Sequence, residues 1–310
     1  MTKTTDEKYM RRCLQLAACG RNESRPNPMV GAVIVADGRI IGEGYHVRCG
    51  EGHAEVNAFA SVAAADEQLL HEATIYVSLE PCSHYGKTPP CADLIVSKGV
   101  RRVVVGCVDP FASVQGRGIE RIRAAGIEVT TGILEQECRW LNRRFFTFHE
   151  KGRPYIILKW AQTADGFIDD HGHAMAISTP FSQILVHKLR AEEDAIVVGR
   201  VTDEREKPQL TVRHWSGRNP ARFVLSHTFP MEELMEECRR QQLQSLIVEG
   251  GRQTLISFID SGLYDEIRVE HGTMNVGDGT PAPTLPQDLT LFSEEQYGGN
   301  AIRRFLKIEN

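Results

Sequence analysis

Three residues with metal-binding side chains stand in this chain at places that only folding can bring together. His53-Ala54-Glu55 opens a segment of helical periodicity, Pro81-Cys82 follows an apolar strand-like run, and eight residues separate Cys82 from Cys91. One imidazole and two thiolates fill three positions of a tetrahedral zinc site and leave the fourth to water, the catalytic rather than the structural pattern. Zinc in such a site makes its water acidic near neutral pH. Glu55, two residues past the histidine, is placed to accept the water proton and pass it to a substrate nitrogen. His53 and Glu55 lie before one apolar helix, and Cys82 and Cys91 flank the start of the next. Helix starts add positive potential that favours thiolate. The bland reading is a loop histidine and two packing cysteines, and the joint occurrence of the three argues against it. A structural site would need a fourth protein ligand, which His84 or Cys49 could supply, so coordination geometry separates the two cases.

The rest of the composition sets bounds. A length of 310 residues points to two domains at roughly 100–200 residues each. Hydrophobic residues at 41% and charged residues at 25% exclude a disordered or low-complexity chain. With 36 Lys plus Arg against 41 Asp plus Glu, the formal charge is -5, a poor starting point for holding long nucleic acid by its phosphates. A local basic pocket for one small phosphorylated ligand remains compatible with it. Met1 to Lys8 is polar, and no run reaches the ~20 apolar residues of a membrane helix, so a soluble cytoplasmic protein is expected. Eight cysteines are too dilute for a disulfide scaffold, and core filler is the reading for most of them.

The first half reads as an α/β region. A helix capped by Asp6 is expected through about Cys19, then a strand over Val30 to Val35, a hairpin turn at Asp37-Gly38 and a partner strand to Tyr45. Helices over Ala54 to Ala65, Pro90 to Lys98 and Gly118 to Ala125 alternate with strands over Ala73 to Leu79, Arg101 to Val108 and Ile127 to Thr131. One long helix over Glu135 to Phe148 closes this half. A hairpin followed by strand–helix alternation implies a mixed sheet with helices on both faces. Lys151-Gly152-Arg153-Pro154 marks the boundary, giving domains 1–150 and 151–310. In the second half, strands are expected at Tyr155 to Trp160, Ala195 to Gly199, Arg222 to Leu225, Ser245 to Val248, Glu266 to Glu270 and Ala301 to Ile308. Helices are expected at Pro180 to Glu193, Met231 to Gln242 and Thr254 to Ser261. No repeat of solenoid period is present.

The first half resembles the deaminase domain of the bifunctional riboflavin-biosynthesis deaminase/reductases. The usual deaminase signature H-x-E…P-C-x-x-C is replaced by Pro81-Cys82-Ser83-His84-Tyr85-Gly86-Lys87-Thr88-Pro89-Pro90-Cys91. Further matches are Pro26-Asn27-Pro28, Val30-Gly31, Gly42-Glu43-Gly44-Tyr45-His46, Asp109-Pro110 and Gly116-Arg117-Gly118. The resemblance implies a cytidine-deaminase-like α/β/α sandwich. It implies a zinc ion on His53, Cys82 and Cys91, with Glu55 as the catalytic acid/base. It also implies a pyrimidine substrate bearing a ribosylamino 5-phosphate, lined by Asn27, His46, His84 and Lys87. Asn27 can donate and accept toward a ring edge, and Lys87 supplies positive charge for the phosphate.

The second half resembles the reductase domain of the same family, which has a dihydrofolate-reductase-like fold. The matching pieces are Lys159-Trp160-Ala161-Gln162-Thr163-Ala164-Asp165-Gly166, Leu189-Arg190, Asp194 to Gly199, Leu210-Thr211-Val212-Arg213 and Val248-Glu249-Gly250-Gly251. The resemblance implies substrate contacts at Leu210, Arg213 and Glu249. It implies an NADPH site at Gln162, Thr202, Glu206, Gly250 and Gly251. The two glycines would let backbone approach a pyrophosphate at a helix start.

This half departs from the family pattern in several places. A Ser-x-Trp-Ile-x-Ser type segment reads Ala174-Met175-Ala176-Ile177-Ser178-Thr179. An arginine expected early in the following helix falls at Gln183 or Ile184, the cofactor segment keeps only Thr202 and Pro208, and an Asp after the Arg222 to Leu225 strand is Ser226. The stretch 226–247 is also short by one strand against the family pattern. Two other functional readings follow: a deaminase whose degenerate second half serves as scaffold or oligomerisation module, and, more remotely, a nucleic-acid deaminase. A homo-oligomer, a dimer, is expected, with no nucleic-acid or membrane partner.

Overall fold

The protein is described from a computed structural model covering residues 3–85, 89–111 and 115–308. It forms two compact units, Met1–Lys151 and Gly152–Asn310. Both are α/β, as the alternation of patterns in the sequence implies.

The first unit is built on a five-stranded mixed sheet. Its strands are β1 (Gly31–Ala36), β2 (Arg39–Tyr45), β3 (Thr74–Leu79), β4 (Arg102–Cys107) and β5 (Glu128–Thr131), in the order β2-β1-β3-β4-β5. β1 runs antiparallel to β2 and β3, whereas β3, β4 and β5 are parallel. Asp37 and Gly38 turn the hairpin with φ 52 and 73, as a tight primed turn requires. Every residue of β1 and β3 is buried, so both faces are covered. The period-two alternation sends Ile34, Ile75 and Val103 into one core and Val33, Tyr76 and Val104 into the other.

Three expectations for this unit need correction. Asp6 does not cap α1 (Lys3–Ala18) but lies within it, 3% exposed. Its carboxylate accepts from Arg102 Nη1 and Nη2 at 2.9 Å each and from the Tyr76 hydroxyl at 2.9 Å. Burial alone would raise the Asp6 pKa, but Arg102 and Tyr76 outweigh it and hold the carboxyl below its usual range. Helix α2 (Ala54–Ala60) stops well before Ala65, and a 3-10 helix over Ala64–Glu72 follows. Ser61 Oγ draws that end onto β2 by donating to Ala58 O and accepting from Glu43 N, each at 2.8 Å. The long helix before the boundary is two, α5 (Glu135–Leu141) and α6 (Arg143–Lys151), broken at Asn142. The Asn142 side chain accepts from Met29 N and donates to Met29 O, each at 2.8 Å. Helices α3 (Cys91–Lys98) and α4 (Arg117–Ala124) complete the unit.

The second unit has a seven-stranded sheet. Its strands are β6 (Tyr155–Gln162), β7 (Ala195–Gly199), β8 (Ala221–Leu225), β9 (Ser245–Val248), β10 (Glu266–His271), β11 (Leu289–Tyr297) and β12 (Asn300–Lys307), in the order β11-β12-β10-β6-β9-β7-β8. The strands from β10 to β8 are parallel, and β12 and β11 add an antiparallel edge. Helices α7 (Pro180–Glu192), α8 (Arg200–Glu206), α9 (Met231–Arg240) and α10 (Arg252–Asp260) connect them. Thr179 caps α7 by accepting from Ser182 N at 3.1 Å, with Pro180 in the first turn. Two elements were not anticipated. Helix α8, Arg-Val-Thr-Asp-Glu-Arg-Glu, has no buried residue and so no apolar period to read. Strand β11 is half charged or polar and mostly exposed, as suits an outermost strand.

Candidate active site

Glycines in β2 let α2 approach the sheet. A Cβ on Gly44 would lie 2.5 Å from Ala58 N, so no larger residue fits between the two elements. This close packing sets the position of His53, the residue that caps α2. Pro90 caps α3 and leaves Cys91 as its first helical residue. The ligand atoms of His53, Cys82 and Cys91 all lie within 4.8 Å of one another. His53 Nδ1 is 3.6 Å from Cys82 Sγ and 3.4 Å from Cys91 Sγ. Among the described residues neither His84 nor Cys49 joins this group, so the fully protein-liganded structural site is not formed. Three soft or borderline donors converging at that spacing fit one zinc ion with an open position.

The electrostatics suit the same use. A hydrogen bond from Cys91, with His53 adding to it, pulls the Cys82 thiol down to about 4, and the same contact with Cys82 pushes the Cys91 thiol up. Cys91 N also donates to Cys82 Sγ at 3.3 Å. Glu55 is 3% exposed, and burial, with Cys82 second, pushes its carboxyl up to about 7. His46 is buried, and its ring meets that of His53 edge to face with centroids 5.3 Å apart. His46 Nδ1 lies 3.1 Å from Gly52 O and so carries the proton, which leaves Nε2 to accept from Asn27 Nδ2 at 3.2 Å. Asn27 Oδ1 is then available to accept from a ligand. His84 is exposed and meets Phe111 edge to face. Lys87 lies outside the described residues.

The second unit holds a cavity of about 1290 Å³ lined by residues of β6, α7, α8, β8 and α10 together with the loop around Ala174–Ser178. Arg213, Glu249, Thr202, Glu206, Gly250 and Gly251 line it, whereas Leu210 and Gln162 do not. Gln162 Oε1 accepts from Trp160 Nε1 at 2.8 Å, and Leu210 is 5% exposed. Glu249 is engaged by Arg190 at 2.7 and 3.2 Å. Burial alone would raise its pKa, but Lys159 and Arg190 together hold it below the usual range. Thr202 Oγ1 accepts from Gly251 N at 3.1 Å, so it ties the glycine turn to α8. Arg213 is exposed and donates to Gln209 at 2.7 Å and Thr211 at 3.0 Å. Arg252 opens α10 at the cavity wall, and its buried Nε has no hydrogen-bond partner among the described residues. An orphaned guanidinium nitrogen beside two glycines at a helix start fits a nucleotide pyrophosphate. Ala174, Met175 and Ala176 also line the cavity.

Sequence reasoning did not single out Lys159, Arg190 or Arg252 in the second unit. Lys159 and Arg190 stood inside quoted segments, but a charge on one element facing a carboxylate far along the chain leaves no local pattern. For Arg252, the signal was its place directly after Gly250-Gly251.

A zinc-ligand cluster beside a buried carboxylate on one α/β unit suits metal-dependent hydrolysis, and a cavity with glycines and an arginine at a helix start on the other suits a phosphorylated nucleotide. The cytidine and deoxycytidylate deaminase zinc-binding region matches residues 3–107, and the RibD C-terminal domain matches residues 154–232 and 228–297. A riboflavin biosynthesis protein RibD of Aquifex aeolicus is 36% identical over 90% of this chain and 90% of its own length. One of Bacillus amyloliquefaciens is 33% identical over 90% of this chain and 87% of its length. The crystal structure of a diaminohydroxyphosphoribosylaminopyrimidine deaminase/5-amino-6-(5-phosphoribosylamino)uracil reductase from Thermotoga maritima superposes with a TM-score of 0.88 at 32% identity, covering 98% of this chain and 99% of that one. The chain belongs to the RibD family of bifunctional riboflavin-biosynthesis deaminase/reductases. The family match spans both units, so the deaminase-only reading is not favoured.

Proposed function

We propose that this chain carries out two consecutive steps of riboflavin biosynthesis. In the first unit the ring amino group of a phosphoribosylaminopyrimidine is hydrolysed to a carbonyl with release of ammonia. In the second, the ribose of that product is reduced to a ribitol chain. The observation that carries the reading is the convergence of His53, Cys82 and Cys91 within 4.8 Å beside the buried Glu55.

His53, Cys82 and Cys91 would hold zinc, which when bound activates a water for attack on the ring carbon. Glu55 takes a proton from the water side and returns it to the leaving nitrogen. A carboxyl raised to about 7 is suited to both transfers near neutral pH. Asn27 Oδ1 accepts from the pyrimidine edge, and His46 fixes the orientation of the Asn27 amide through its Nε2. His84 and Lys87 complete the substrate side in this reading.

In the second unit, NADPH would supply the hydride. Gly250 and the start of α10 would receive its phosphates, with Gly251 leaving room for them and Thr202 holding the glycine turn through the Gly251 amide. Arg252 offers them an unpaired donor. Glu206 is assigned to the cofactor, and Arg213 and Glu249 to the substrate, with Arg213 for its phosphate; Gln162 and Leu210, which do not line the cavity, take no ligand role in this reading. Positioning of the sugar carbon against the nicotinamide is the protein's main contribution.

The partners in this reading are small phosphorylated pyrimidines rather than nucleic acid, in keeping with a formal charge of -5. The setting in this reading is the cytoplasm, and no helix among the described residues is long and apolar enough to cross a membrane. A homodimer is supported by Leu291 and Phe292, half-exposed on the outermost strand β11. The test is chelation. Stripping zinc should abolish ammonia release while leaving NADPH-dependent reduction of the deaminated product unchanged, and adding zinc back should restore release. Undiminished ammonia release from metal-free protein would contradict the proposal.

A further inference from the structure

Glu80 is a buried carboxylate that neither proposed reaction uses. It follows β3 and stands two residues before Cys82, and it is 4% exposed. Four backbone N–H groups donate to it. Asp109 N and Gly116 N reach Oε2 at 3.3 and 2.9 Å, and Gly118 N and Ile119 N reach Oε1 at 3.0 and 3.3 Å. Gly116, Gly118 and Ile119 form the N-terminal turn of α4, whose own cap residue has no side chain to offer. A carboxylate from another element therefore satisfies the donors that a helix start leaves open, where negative charge is favoured. The approach needs Gly118, because a Cβ there would lie 2.0 Å from Pro81 O. The clamp binds the segment that carries Cys82 to the connection between β4 and α4.

That connection also carries an aromatic ring. Asp109 Oδ1 accepts from Phe111 N at 2.8 Å, so the backbone that Glu80 holds sets the Phe111 position. Phe111 is 40% exposed. Its ring meets His84 edge to face at 6.5 Å and His149 at 5.2 Å between centroids. His149 is itself packed against Phe145 and Phe148, and its burial lowers its pKa, so a neutral aromatic backs Phe111. A large apolar ring is thus held in place on one side and left open on the other, beside the histidine that follows Cys82 by two residues.

We propose that Phe111 is the wall against which the planar pyrimidine ring of the deaminase substrate packs, and that Glu80 is the positioning residue that holds this wall in register with the metal ligands. The proposal rests on the deaminase reading of the first unit. It is tested by steady-state ammonia release from the zinc-loaded full chain, with zinc content measured on the same samples.

Phe111→Ala should raise KM about tenfold, the loss of one good aromatic contact, with kcat within about twofold and one zinc per chain retained. Phe111→Tyr should restore the wild-type KM. Glu80→Gln should raise KM similarly, and the double variant should be no worse than Phe111→Ala alone, because the two residues act through one contact. A wild-type KM in Phe111→Ala would overturn the proposal, and that half-exposed position decides it even if Glu80→Gln fails to fold. KM increases that multiply in the double variant would overturn the positioning role. Absence of zinc-dependent ammonia release from the wild-type chain would overturn the deaminase reading and the proposal together.

Discussion

In the first unit the side chains of His53, Cys82 and Cys91 converge within 4.8 Å, two at the starts of helices and Cys82 in the segment that follows β3. In the second unit the polar groups are spread around a cavity of about 1290 Å³. Several of them are already committed to one another: Glu249 to Arg190, Thr202 to the Gly251 amide, and Arg213 to Gln209 and Thr211. A zinc centre is specified by side chains, because His, Cys and carboxylate donors at bonding distance build it. A nucleotide cleft is specified largely by backbone amides, helix starts and space. The first kind of site leaves its residues in the sequence as a pattern. The second leaves mostly glycines and scattered charges.

The contrast can be broken most sharply at Glu55. Glu55→Gln should lower ammonia release by about a thousandfold, within the range for loss of a general acid/base, with zinc content unchanged. Reduction of the already deaminated product should proceed at the wild-type rate. Equal losses in both activities would mean that the two sites are not separable in the way their geometry implies.

Arg190→Ala addresses the other unit with a smaller effect. It leaves Glu249 buried without its main partner, in a pair whose side chains are 11% and 9% exposed. Breaking such a pair costs about 3–5 kcal/mol. Thermal unfolding should show that loss in the transition of the second unit, with reduction impaired and ammonia release intact. A neutral effect on stability would show that Lys159 alone suffices to hold Glu249.

What could be read beforehand follows the same divide. The mixed sheet and the hairpin at Asp37-Gly38 were legible because periodicity and turn chemistry are local, and His53, Cys82 and Cys91, which the fold brings together, stood out by donor type. Asp6 was misread because Asp near a helix start usually caps its own backbone, whereas here Arg102 on β4 claims it. The break at Asn142 had no local signal, since helical periodicity runs across it and its partner is Met29. Glu80 looked like an ordinary residue after a strand. The trace it left was indirect, in Gly118, which admits Pro81 O where any side chain would collide. Strand β11 escaped because an outermost strand keeps few apolar residues.

The most direct test of the central claim, that one chain carries both sites, follows product mass with the purified zinc-loaded protein and the phosphorylated pyrimidine, with and without NADPH. The account predicts zinc-dependent replacement of the ring amino group by oxygen in both reactions, and a further gain of two hydrogens only when NADPH is present. Deamination without that gain at saturating NADPH would contradict it.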